Sequence, residues 1–152
     1  MTLRSTLTIN RQTQRSLEQF ECLQGDIQWG LPDLPAVQDY PDGTDVRDVA
    51  FWNEFGTQRI PERGYFRRSA NGARRELIRD SRTAALAIAS GRLDCDEALD
   101  LIGQQAAATL RQDLTQFRDP PNAASTIAQK GFDNPLIETG HLRSQITHRV
   151  KS

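Results

Sequence analysis

Asp94, Asp96, Glu97 and Asp100 crowd one short stretch of the chain. Clustered carboxylates are what a divalent cation needs if it is to activate water against a phosphodiester. On that chemistry the chain would be a small metal-dependent nuclease. The same four side chains, however, stand at the head of an apolar-periodic run, where negative charge offsets the unpaired N–H groups and the dipole of a starting helix. Side chains so placed fan around a helix rather than converge, and this reading takes precedence. His141 and His148 are the only histidines, and a turn-to-strand change between them keeps them off a shared metal ion. No GxSxG elbow or glycine-rich phosphate loop occurs, and neither Cys22 nor Cys95 has a histidine near it in sequence. The expectation is a non-enzymatic protein with no catalytic residue, no metal and no cofactor. With no CxxC partner, Cys22 and Cys95 read as two reduced thiols.

Arg59, Arg63, Arg67, Arg68, Arg74, Arg75, Arg79 and Arg82 could contact phosphates, but Glu62, Glu76 and Asp80 interrupt the run. A solvated helix face, or an interface rich in arginine, fits them better. Across all 152 residues, 19 Lys and Arg stand against 20 Asp and Glu, giving a net charge of −1. No one-signed field steers the protein onto nucleic acid or an anionic membrane. The longest run without a charge or strong breaker, around Ala84 to Ser90, is far short of a bilayer span, and no secretory leader is expected at the N-terminus. A mean hydropathy of −0.61 leaves large apolar side chains thinly spread, so neighbouring copies would help to bury what there is.

These residues must be held by elements that the sequence partly reveals. Leu3, Leu7 and Ile9 among threonines suggest a weak strand over Thr2 to Ile9, and Leu17, Phe20 and Leu23 a helix from Arg11 to Gln24. Ile27 and Trp29 alternate with polar residues as in a half-buried strand. Pro32, Pro35, Pro41 and Asp42-Gly43 make residues 31–44 an exposed, mobile loop. Val46 to Phe55 fits either a short buried strand or helical turns. A long helix begins near Pro61 or Arg63 and carries Phe66, Ala70, Ala73, Leu77, Ile78, Ala84, Ala85 and Ile88 up to Gly91. Asp94 and Glu97 look like a capping pair opening a second one, with Ala98, Ile102, Ala106, Leu110, Leu114 and Phe117 recurring until Pro120-Pro121. Together they form an antiparallel hairpin over about 62–118. A turn at Lys130-Gly131, a helix start at Thr139-Gly140 and a last strand over Gln145 to Lys151 complete the chain. The fold class is α+β in one domain, 1–152: a small mixed or antiparallel sheet from both chain ends, packed with the central helical hairpin and an N-terminal helix.

Two blocks are more specific than their composition. The first is Val49-Ala50-Phe51-Trp52-Asn53-Glu54-Phe55-Gly56-Thr57 followed by Ile60-Pro61-Glu62-Arg63-Gly64-Tyr65-Phe66-Arg67. The second runs from Pro121-Asn122 through Lys130-Gly131 to Pro135-Leu136-Ile137-Glu138-Thr139-Gly140-His141-Leu142 and on to Thr147. Together they cover about a third of the chain and resemble the tail-completion and virion-morphogenesis proteins of tailed bacteriophages, small components of the neck or tail terminator. The family pattern has an aromatic-x-x-Glu-Phe-Gly-Thr segment leading into Ile-Pro-x-Arg-Pro-Phe, and a Pro-Leu-Ile-Asp-Thr-Gly-x-Leu segment leading into a last strand. Gly64 replaces the usual proline, which leaves the helix entry less stiff, and Glu138 replaces an aspartate.

The resemblance implies a structural virion protein that caps the tail tube and joins it to the head connector, assembled in the bacterial host cytoplasm. Its partners would be copies of itself, in a ring of six if it caps a six-fold tail tube, together with the tail-tube protein and the connector. Genomic DNA would pass through the lumen without specific binding, and no membrane would be involved. A head-proximal connector or adaptor is the alternative within the same class. The candidate assembly residues are Trp52, Glu54, Phe55, Gly56, Thr57, Pro61, Arg63, Phe66 and Arg67 in the first block, and Pro135, Leu136, Ile137, Thr139, Gly140 and Leu142 in the second. Each block reads equally well as fold maintenance or as subunit contact.

Overall fold

A computed structural model describes residues 25–137 and 139–151. The expected strand over Thr2 to Ile9, the expected helix over Arg11 to Gln24, and Glu138 lie outside the described residues. Strand β1 (Asp26–Gly30) pairs antiparallel with β2 (Thr147–Lys151), placing Ile27 opposite Val150 and Trp29 opposite His148. Directly opposed residues share a face of the sheet. This face lies on the second helix of the hairpin, where His148 rests on Gly103 so closely that a Cβ there would fall 2.3 Å from the ring. The expected alternation of Ile27 and Trp29 is thus a packing pattern, and the sheet joins the two ends of the described chain.

Helix α1 (Val46–Phe55) resolves the open choice of helix or strand in that segment. Asp45 caps it, its carboxylate accepting from the Arg47 N–H at 2.7 Å. Helices α2 (Tyr65–Ala89) and α3 (Cys95–Gln116) form the expected hairpin. At 25 residues, α2 is about 37 Å long. Asp94 caps α3 by accepting from the Glu97 N–H at 2.8 Å, as the spacing of the pair suggests. α3 is the central element: it packs on α2, on both strands, and on α5 (His141–Gln145). Its buried face holds Ala98, Ile102, Ala106, Leu110 and Leu114. The core extends from there to Val37, Val46, Tyr65, Leu136, Leu142 and Ile146.

Four sequence expectations change. Helix α4 (Ala124–Lys130) stands where only the Lys130-Gly131 turn was read. It buries no residue, so no apolar stripe announces it, and the turn is its end. Gly64 sits at φ 56, a left-handed conformation closed to proline, so a proline at this position would not fit the backbone. The proline-rich stretch lacks regular structure but is pinned at several points. Val37 is buried, the Gln38 N–H donates to the Gln145 side chain at 2.7 Å, and the Gln38 carbonyl lies 2.9 Å from the His141 ring nitrogen. Finally, Cys95 is disulfide-bonded rather than a reduced thiol, since separation along a chain says nothing about distance in the fold. Cys22, the other cysteine, lies outside the described residues.

Candidate functional site

The first block folds as a single junction between α1 and α2. Gly64 precedes α2 and offers no side chain to its exposed N–H groups. Glu54, only 6% exposed, supplies a carboxylate from α1 instead. It accepts from the Phe66 N–H at 2.8 Å, from the Arg67 N–H at 3.3 Å and from the Arg67 Nε at 2.8 Å. A buried anion at the positive end of a helix is stabilised by both the dipole and these charge-assisted bonds. The backbone closes the same junction: the Arg63 N–H donates to the Asn53 carbonyl and the Gly64 N–H to the Glu54 carbonyl, each at 3.0 Å. Gly56 turns the chain, and a Cβ there would lie 2.8 Å from the Glu62 nitrogen. Thr57 shapes the loop that follows, its hydroxyl accepting from the Arg59 and Ile60 N–H groups at 3.1 and 3.0 Å. Pro61 stands exposed at the end of that loop.

Arg63 ties the first block to the second. Its guanidinium is enclosed, donating to the Asn53 side chain and, at 3.5 Å, to the Asn122 side chain. Burial lowers its pKa, and the nearby Asp133 carboxylate works in the opposite direction. Asp133 in turn accepts from the Asn122 N–H at 3.1 Å. Asn53, Pro61 and Arg63 from the first block and Asn122, Pro135 and Leu142 from the second line one cleft of about 320 Å³. Leu136 and Leu142 are core residues, Pro135 is buried, and Ile137 is half-buried. Thr139 and Gly140 open α5, the Thr139 hydroxyl accepting from the His141 N–H at 3.2 Å.

The candidate residues therefore divide. Glu54, Arg63, Pro135, Leu136 and Leu142 serve the interior of the subunit, whereas Trp52 and Phe55 reach solvent, 38% and 51% exposed. Phe51, the aromatic of the aromatic-x-x-Glu-Phe-Gly-Thr pattern though not among the candidate assembly residues, is 59% exposed and packs at a tilt against Phe55 with ring centroids 4.7 Å apart. Arg67 lies across the other side of Phe55, at 5.3 Å from the ring centroid, and is also paired with Glu62. These side chains border a groove of about 460 Å³ whose walls include Trp29, Leu31, Pro32 and Phe66. Its lining is mainly apolar. An exposed pair of phenylalanines one helical turn apart was the available signal for Phe51, had its partner Phe55 been read as outward-facing.

Two of the four clustered carboxylates are already engaged within the subunit. Asp94 caps α3, and Asp100 accepts from Gln104 at 2.6 Å and lies 2.7 Å from the His148 ring nitrogen. Among the described residues, no three His, Cys, Asp or Glu side chains come together as a metal site. No helix among them is long and apolar enough to cross a membrane. Comparison with protein-family models, curated proteins and solved structures finds nothing that matches the chain. The geometry and the two sequence blocks carry the functional argument.

Proposed function

We propose that this chain is a structural subunit of the neck of a tailed bacteriophage, a tail-completion or tail-terminator protein that acts by assembling into a ring. The observation that carries the reading is the meeting of the two blocks. They are far apart in sequence, yet Arg63 bridges them and both line one cleft, so what resembles the family is a single folded unit. Outward-facing Phe51, Trp52 and Phe55 on that unit provide an assembly surface, as exposed aromatic residues grouped on one helix commonly do. In this reading the ring contacts are head-to-tail and close by rotation, one ring face stopping the tail tube and the other meeting the connector. The near-neutral net charge of −1 suits a lumen through which DNA slides without sticking.

Light scattering on the purified protein, alone and with the tail-tube protein, tests this. A closed ring of six supports the terminator, and a twelve-fold ring moves the assignment to the portal-side connector. A monomer under both conditions overturns the ring.

A further inference from the structure

The apolar groove does not end at Phe66. Trp29 forms part of its wall and also of a shallower trough along α2, lined by Ala70, Leu77 and Ile78 together with Arg74 and Arg82. Together they make one strip along the flank of α2, largely apolar and carrying two cations, Arg74 and Arg82. Arg74 and Arg82 make no ion pair with any described residue. Ile78 in the strip is 46% exposed.

A second surface has the opposite character. The side of α3 turned away from its buried face carries Glu97, Leu101, Gln104, Gln105 and Ala108, spaced as one solvent-facing helical stripe. Leu101 is 49% exposed at its centre, with Glu97 one turn before it. The only cation of α3, Arg111, is drawn to the other side, where its guanidinium donates to the Ile146 carbonyl. Arg79 of α2 stands beside Leu101 and is paired with Asp80 at 3.3 Å. The stripe is thus apolar at its centre and acidic at its N-terminal end.

We infer that the strip on α2 is filled by the α3 stripe of a second copy, Leu101 seated on its apolar side chains and Glu97 facing Arg74. This specifies the contact for the ring reading above and rests on it. A helix laid in an apolar groove is a recurrent recognition geometry, and opposite charge at its rim fixes partner and register. Symmetric pairing of like surfaces is disfavoured, because two α2 strips would bring Arg74 and Arg82 against their own copies. Two dissimilar complementary surfaces on one chain give a head-to-tail contact, which is the kind that closes a ring.

The test is a charge exchange on the full chain, using Arg74→Glu, Glu97→Arg and the two combined, each checked by circular dichroism for a native fold. Sedimentation and light scattering up to about 100 μM read the association. Each single change is expected to raise the dissociation constant about tenfold or more, and the combined chain to regain wild-type association, with the effect shrinking in high salt. Association unchanged in all three variants, or no recovery in the combined one, overturns this contact while wild-type rings stand. A wild-type chain that stays monomeric alone and with the tail-tube protein overturns contact and ring together.

Discussion

Glu54 shows how one side chain can look functional in sequence while serving the fold. A carboxylate beside an exposed aromatic invites an interface role, yet its oxygens are spent on the first N–H groups of α2 and on Arg67. Glu54→Ala leaves those donors in a site where water replaces the carboxylate poorly, and should lower unfolding free energy by about 2 kcal/mol. Glu54→Gln keeps an acceptor and should lose about half of that. Urea titration distinguishes the two, and a Glu54→Ala chain as stable as wild type would refute the capping role. Gly103 makes a second residue-scale case. A methyl group there would lie 2.3 Å from His148 Cδ2, so Gly103→Ala must displace the ring and with it the contact to Asp100. A cost of about 1–3 kcal/mol is expected despite alanine's better helix propensity, measured by the same titration.

At the scale of elements, the chain was most legible where periodicity and caps coincide. Residues 65–89 and 95–116 follow the apolar spacing, and the Asp94–Glu97 pair marks the start of α3 to the residue. β1 and β2 were legible from alternation, although their pairing across the whole chain is a long-range fact that no local pattern contains. α1 was ambiguous because its apolar residues do not share one buried face: Ala50 lies against the core while Phe51, Trp52 and Phe55 reach solvent, which blurs any single period. In the candidate site, motif spacing located the junction but could not separate Glu54 from Phe55, neighbours on opposite sides of a burial boundary. The sheet-to-helix contact also carries a pH dependence. Hydrogen bonds from His148 first, and from Gln104 second, hold the Asp100 carboxyl below the usual carboxylate range. A depressed folded value means that the unfolded chain takes up the proton first. The contribution is therefore complete above about pH 4 and is lost as pH falls through the folded value. The protection of β2 amides against exchange, taken relative to the intrinsic exchange rate at each pH, should fall on acidification in wild type more than in Asp100→Asn, and an equal fall in both would remove Asp100 as the cause.

For the whole molecule, the decisive comparison is between two substitutions of the same chemistry in the two blocks. Phe55 is half exposed and touches Phe51 and Arg67 at the rim of the groove. Phe55→Asp leaves the core intact and should cost less than about 1 kcal/mol of stability, while placing a charge where an apolar partner would sit. Leu136 is 6% exposed and packs in the core with Val46, Tyr65, Leu142 and Ile146, so a new carboxylate there would be largely cut off from water. Leu136→Asp should cost several kcal/mol and unfold a domain of ordinary stability. Circular dichroism melts and light scattering on both variants therefore ask separate questions of the two blocks. The expected outcome is a folded, association-deficient Phe55→Asp and an unfolded Leu136→Asp. A Phe55→Asp chain that assembles like wild type would take the aromatic face of α1 out of the ring, and one that unfolds would place Phe55 in the core.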